Sequence, residues 1–276
     1  MTSDHELNRL SWNILAEAHG QDAYYDSRAL LAGESSLIAE EEEALQEAIG
    51  EDLENLAVLH LQCHLGFDAI TLARRGARVT GVDFSHVALA KAHSLANTCA
   101  VDVEWICADV LALPESLHRR FDLVWATVGI ICWIADLNSW MTGLSNVLKP
   151  GGRLVLLDGF PDAASYEPSP TRRYIEAGWD YATDLRTGPQ VQFRHTIDDV
   201  TAAVEAAGLT ILSFRKHLAI TADLRIAKIE RGEDGLYRRF VGGEARPILF
   251  TMVAMQQGCD SEGAAANRRE GQVHSA

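Results

Sequence analysis

The stretch Val58-Leu59-His60-Leu61-Gln62-Cys63-His64-Leu65-Gly66 runs into Phe67-Asp68-Ala69-Ile70-Thr71-Leu72-Ala73-Arg74-Arg75-Gly76 and then Ala77-Arg78-Val79-Thr80-Gly81-Val82-Asp83. It reads as strand, tight turn, short helix, strand and terminal acid. An apolar run feeding a turn with Gly66, then a helix and a β-rich run ending in Asp83, describes a βαβ unit that holds a nucleoside cofactor. The unit by itself leaves open which nucleoside.

Outward from this unit the alternation continues. Residues 87–98 read as a helix, 103–108 as a strand followed by Asp109, and 121–126 as an apolar strand. Residues 136–148 form an amphipathic helix stopped by Lys149-Pro150-Gly151-Gly152, and 153–158 follow as a buried strand. Strands and helices at this spacing predict an α/β fold with a mainly parallel sheet covered on both faces. Residues 159–194, broken by Pro161, Pro168, Pro170 and Pro189, read as an insertion over the sheet edge. A helix over 195–207 with Thr196 as N-cap, a strand at 209–214, a second irregular stretch at 218–246 and a last strand at 247–255 complete the pattern. Upstream, residues 1–50 read as an N-terminal helical cap, in which Glu40 to Glu43 look like a solvated face. The domain proper spans 51–257, and the Gly/Ala/Ser/Asn-rich 258–276 reads as a flexible tail.

Composition narrows the function. With 276 residues and 47% apolar content the chain can bury a sizeable core. Its net charge of −15, from 39 acids against 24 Lys and Arg, repels a phosphate backbone, so nucleic acid is not an expected partner. No apolar run approaches the roughly 20 residues that span a bilayer, and Met1-Thr2-Ser3-Asp4-His5-Glu6 lacks the basic and apolar regions of a signal peptide. A cytoplasmic protein that does not enter membranes is expected. The five cysteines lack framework spacing and read as reduced thiols. His60, Cys63 and His64 could each ligate zinc, but strand alternation splits them between faces and no second Cys/His pair follows, so no metal is expected.

In a doubly wound sheet, ligands sit beyond the carboxyl ends of the strands. That rule singles out Gln62 to Gly66, Asp83, Asp109 and Thr127-Val128-Gly129. A carboxylate after the second strand suits the two hydroxyls of a ribose, and Asp109 followed by Val110 suits an adenine edge. With these residues in order, the chain resembles the class I S-adenosylmethionine-dependent methyltransferases from about residue 56 to 256. Leu59 to Gly66 stands at their glycine-rich first motif, Val79 to Ser85 resembles the second, Asp109 the third-strand acid, and Leu148 to Leu154 the turn before strand five. The Leu-Gln-Cys-His-x-Gly form is similar to that of a bacterial small-molecule subgroup, which also carries a Trp-Asn opening like Trp12-Asn13. Two departures stand out: in the first motif His60 occupies the position of an acid and Gln62 and His64 positions of glycines, and Asp158-Gly159-Phe160-Pro161 stands where the subgroup tends to Glu and His-Pro.

The resemblance implies a seven-stranded sheet whose last strand is antiparallel, with an N-terminal helical cap and substrate-side insertions. It implies S-adenosylmethionine as cofactor, held by Gln62, Cys63, His64, Gly66, Asp83, Phe84, Asp109, Val110 and Thr127, and a small-molecule acceptor methylated at O or N. Trp12, His19, Tyr24, Tyr25 and Trp133 are candidates for a lid and substrate wall. His195 is the candidate general base, because it precedes a helix at the edge of the insertion and its ordinary pKa near 6.5 suits proton removal. Two alternatives remain at this level: a NAD-type oxidoreductase, which shares the βαβ unit but would need the Gly-x-Gly-x-x-Gly that Gln62 and His64 break, and a methyltransferase-like protein that binds cofactor without turnover.

Overall fold

The computed structural model describes residues 3–20, 25–161, 172–176, 187–224 and 229–257. In chain order these form α1 (Asp4–Ala18), α2 (Ser27–Leu31), α3 (Ala39–Ile49), β1 (Ala57–Leu61), α4 (Phe67–Arg74), β2 (Arg78–Asp83), α5 (His86–Thr98), β3 (Val103–Cys107) and β4 (Phe121–Thr127). They continue with α6 (Leu137–Val147), β5 (Leu148–Gly159), β6 (Arg172–Ile175), β7 (Gln190–Phe193), α7 (Ile197–Ala206) and β8 (Leu209–His217). Four short or mid-length strands follow, β9 (Ala219–Ile220), β10 (Ile229–Arg231), β11 (Tyr237–Val241) and β12 (Glu244–Arg246), and β13 (Leu249–Gln256) closes the fold.

The main sheet has seven strands in the order β3-β2-β1-β4-β5-β13-β8. β1 to β5 pair in parallel, and β13 runs antiparallel between β5 and β8. The expected seven-stranded, doubly wound α/β sheet with an antiparallel last strand is therefore the observed one. Alternation along each strand splits the core between two faces. Leu59, Leu61, Val124 and Ala126 pack with Trp140, Met141 and Leu144 of α6 and with Val200, Ala203 and Val204 of α7. Val58, Leu123 and Trp125 face the other way, onto Ala44 and Leu45 of α3 and Ala69 and Leu72 of α4. The switch point lies between β1 and β4, where the sheet order reverses, and there the strand ends open a crevice.

Local signals explain the helix starts. Ser85, Asp136 and Thr196 cap α5, α6 and α7 by accepting from the N–H groups of Ala88, Ser139 and Asp199, and the Asp199 carboxylate returns a capping-box bond to the Thr196 N–H. Gly66 caps α4 at φ +73°. A Cβ added there would collide with the Trp105 ring, and one added at Gly81 would come within 2.6 Å of it, so the two glycines make room for one indole on β3.

Three expectations change. The Lys149-Pro150-Gly151-Gly152 turn lies inside β5, as an irregularity where the β4 register jumps from Phe121↔Leu148 to Leu123↔Arg153. The stretch expected to be irregular at 218–246 contains β9 to β12, a small antiparallel sheet with β11 at its centre. Its hairpin signal is Gly242-Gly243 between β11 and β12, both at positive φ, as a tight turn requires. The acids of α3 do not form one solvated face: Glu40 and Glu41 are buried, whereas Glu42 and Glu43 reach the surface and pair with Arg75 and Arg215. Of the 159–194 insertion, the described part pairs β6 with β7 as an antiparallel ladder. Among the described residues Cys63, Cys99, Cys107 and Cys132 are free thiols, and no helix is long and apolar enough to cross a membrane.

Candidate functional site

Two adjoining cavities open at the carboxyl ends of β1, β2 and β4. The first has about 720 Å³ of space when its solvent-filled mouth is counted. The side chain at the end of β2 organises it. Asp83 is buried, its Oδ2 accepts the His64 N–H at 2.9 Å, and its Oδ1 accepts the Ser85 N–H at 2.8 Å. Burial pushes its carboxyl from 3.8 up to about 6, against the pull of those backbone donors. A carboxylate has about four accepting positions, so it retains capacity for a ligand in the cavity it lines.

Phe84, Asp109 and Val110 form the wall beside Asp83. Asp109 accepts the Leu111 N–H at 2.9 Å and contacts His5 Nδ1 at 2.7 Å. Burial pushes the Asp109 carboxyl up, but the His5 hydrogen bond, the Leu111 N–H and the His5 charge outweigh it and hold it below the usual range. The opposite wall comes from α1: His5, Asn8 and Trp12 line the cavity, and Trp12 meets Trp133 edge to face at 5.5 Å. α1 is fastened in place by polar bonds. Asn8 donates to the Val191 carbonyl and accepts the Val191 N–H, and Ser85 Oγ donates to Asn13 Oδ1.

The loop after β1 is the floor shared by both cavities. Gln62 and His64 both hold φ +48°. A non-glycine residue in this region carries a steric cost of roughly 1–2 kcal/mol. Side-chain contacts offset it at His64, whose Nε2 lies 2.8 Å from His19 Nδ1 and whose ring meets Trp12, His19 and Tyr25 edge-on at 5.0 to 5.2 Å. Burial, together with the nearby His19 and Lys91, pushes the His64 imidazole well below its ordinary pKa, so it is neutral near pH 7. Val128, at φ +40°, is a third strained position at this floor.

The second cavity, of about 1150 Å³ including its mouth, shares Tyr25, Gln62, His64 and Val128 with the first. Cys63, Gly66 and Thr127 line it, as do His60, Glu41 and Asp68. Of the residues expected from the sequence, the structure thus brings Gln62, His64, Asp83, Phe84, Asp109, Val110, Trp12, Tyr25 and Trp133 to the first cavity and Cys63, Gly66 and Thr127 to the second. His19 reaches the site through His64, and Tyr24 lies outside the described residues. His195 lines neither cavity; its Nε2 donates to the Ile134 carbonyl at 2.7 Å, which fixes the proton on that nitrogen.

Sequence reasoning marked Asp158 only as a departure from the subgroup's pattern and gave it no role in the site. At the end of β5 it is buried and accepts the N–H groups of Gly129, Ile130, Ile131 and Gly159 at 2.6 to 3.0 Å, so one carboxylate shapes the turn that walls the first cavity. The strand-end rule that found Asp83 and Asp109 applies to it equally. His5, Asn8 and Glu41 were missed because nothing local to their helices marks the side that meets the sheet.

Residues 58–152 match the family model described as a methyltransferase domain. An S-adenosylmethionine-dependent methyltransferase from Mesorhizobium loti superposes with a TM-score of 0.54 at 21% identity, covering 79% of this chain and 98% of that one. The fold is that of the S-adenosylmethionine-dependent methyltransferases. The chain is 27% identical over 178 residues to O-methyltransferase rstn1 of Aspergillus nomiae, covering 62% of this chain and 73% of the relative. It is 33% identical over 102 residues to the ubiquinone biosynthesis O-methyltransferase of Rhizobium leguminosarum, of which the chain spans 39%.

Proposed function

We propose that the chain is an S-adenosylmethionine-dependent methyltransferase acting on oxygen or nitrogen of a small molecule. The observation that carries the reading is Asp83. A buried carboxylate at the end of β2, fixed by the backbone N–H groups of His64 and Ser85 and lining the first cavity, fits a ribose diol. Asp109 and the backbone at Val110 suit the adenine edge, with Phe84 beside its plane, and Gln62, His64 and Gly66 form the floor for the remainder. When bound, S-adenosylmethionine supplies an electrophilic methyl group.

The chain's own residues supply alignment and exclusion of water. Trp12, Tyr25 and Trp133 wall the first cavity with aromatic surface, and α1 is pinned across it by the Asn8 and Asn13 bonds. Holding a nucleophile in line at about 3 Å supplies several kcal/mol of the barrier without a general base. A His195 that donates to the Ile134 carbonyl orders the turn behind Trp133. The relatives named O-methyltransferases favour oxygen as the accepting atom.

Calorimetry with S-adenosylhomocysteine tests the reading. Micromolar binding by the wild type, weakened tenfold or more by Asp83→Ala, is expected. No binding at millimolar ligand, or an affinity indifferent to Asp83→Ala, overturns it. NADH titration followed by fluorescence separates the dinucleotide alternative, for which the strained Gln62 and His64 leave no glycine cradle.

A further inference from the structure

The second cavity contains chemistry that the nucleoside reading does not use. Glu41, on α3, is 4% exposed, lines the cavity and among the described residues carries no ion pair; its carboxylate accepts the Ile38 N–H at 3.0 Å and lies in hydrogen-bonding reach of the Thr127 hydroxyl, which it shares with Asp68. Asp68, on α4, lines the same cavity, also without an ion pair, and accepts from Ser36 Oγ at 2.7 Å and from Trp125 Nε1 and Thr127 Oγ1 at 3.3 Å. His60, 5% exposed, faces the same space, and its Nδ1 is buried without a hydrogen-bond partner. Burial pushes the His60 imidazole below its ordinary pKa, opposed by Asp68, so a neutral ring presents an acceptor or a lone N–H.

The Glu41 and Asp68 carboxyl groups and an imidazole with an orphaned Nδ1 line one cavity, which Asp223 also lines, and among the described residues no cation pairs with Glu41 or Asp68, which makes a costly arrangement. A buried charge without a partner is unfavourable, and Glu41 responds by having its carboxyl pushed well up, first by burial and then by Asp68. A ligand bearing a positive charge with N–H donors relieves the repulsion and satisfies the open acceptors together.

We propose that this chamber is the acceptor side of the site and recognises a protonated amino group on the molecule to be methylated. The proposal rests on the methyltransferase reading above. The location of the walls distinguishes the acceptor from the cofactor's own ammonium group. Ser36, Ile38 and Glu41 come from the segment before the matched domain, and Ala222 to Leu224 from the segment after it. The first cavity also takes walls from outside 58–152, but its ribose and adenine positions, Asp83, Asp109 and Val110, lie inside that region. Glu41, the buried acid of the second cavity, lies outside it, in a flanking segment. Glu41 is therefore a specificity-determining residue: the amino group anchors the acceptor, and the neighbouring first cavity brings its nucleophile into line.

The test uses the full chain loaded with S-adenosylhomocysteine and five matched pairs of small aromatic probes that differ only in an amino group, tyramine against 4-ethylphenol being one. Binding is followed by calorimetry. At least one amine is expected to bind tenfold or more tightly than its partner, and Glu41→Gln is expected to remove that preference while changing S-adenosylhomocysteine affinity less than twofold. The retained cofactor affinity shows that the variant is folded. Absence of any amine preference in the wild type overturns the proposal, as does a preference that survives Glu41→Gln. Tenfold weaker S-adenosylhomocysteine binding by Glu41→Gln also overturns it, by assigning the chamber to the cofactor. Wild-type protein that fails to bind S-adenosylhomocysteine overturns the methyltransferase reading instead.

Discussion

At Asp83 the burial that makes a ribose site also makes it pH-sensitive. Burial holds the ligand-free carboxyl up at about 6, and only the ionised form accepts from both hydroxyls of a diol without competing with its own proton. Cofactor affinity is therefore full above pH 6 and is lost as the pH falls through that value, by up to tenfold per unit. S-adenosylhomocysteine binding measured by calorimetry from pH 8 to 5 is expected to follow this curve, and Asp83→Asn is expected to flatten it. The ligand-free fold responds in the opposite sense. Between about 4 and 6 the native carboxyl holds more proton than the unfolded one, so this group's contribution to stability falls as the pH rises. The substituted glycine positions give a second prediction at this scale. Gln62→Gly releases left-handed strain, offset by the extra freedom of the unfolded chain, and should change stability by less than about 1 kcal/mol. His64→Ala keeps the strain and removes the His19, Trp12 and Tyr25 contacts, and should destabilise by about 2 kcal/mol in urea titrations.

At the scale of elements, the packing of β2, β3 and α4 hinges on Trp105 filling the space above two glycines. Gly81 has ordinary strand dihedrals, whereas Gly66 sits at φ +73°. Gly81→Ala should therefore destabilise by about 2–3 kcal/mol through overpacking alone and be largely rescued by Trp105→Leu. Gly66→Ala should be rescued only in part, because the left-handed strain stays. Urea midpoints of the single and double variants check this coupling. Most strands and helices of the sheet were legible because apolar period and local start signals agreed, as at Ser85 with α5 or Thr196 with α7, whereas the Gly/Pro stop at 149–152 proved to lie inside β5. β9 to β12 escaped notice because their burial is partial and their alternation short, leaving Gly242-Gly243 as the main signal. Glu40 was misread for a different reason: four consecutive acids look solvated, but a helix turns successive side chains by about 100°, and the Thr221 N–H and hydroxyl meet Glu40 at 2.8 and 2.9 Å.

For the molecule as a whole, ligand that binds only the native state raises stability by mass action. S-adenosylhomocysteine at a hundred times its Kd should add about 2.7 kcal/mol and raise the melting temperature by roughly 5–10 °C. Asp83→Ala should show little of that shift at the same concentration, which differential scanning fluorimetry can read directly. The sequence by itself determined the α/β class, the strand ends at which a ligand would gather, and the acids Asp83 and Asp109 there, because hydrophobic period and turn chemistry are local and a parallel sheet has one crevice. Only the tertiary structure decided that α1 closes the first cavity, that Asp158 shapes its wall, and that Glu41 meets Asp68 and His60 in the second. Those partners are distant in the chain, and which face of each helix meets the sheet depends on packing that brings together side chains carrying no mark of one another in the sequence.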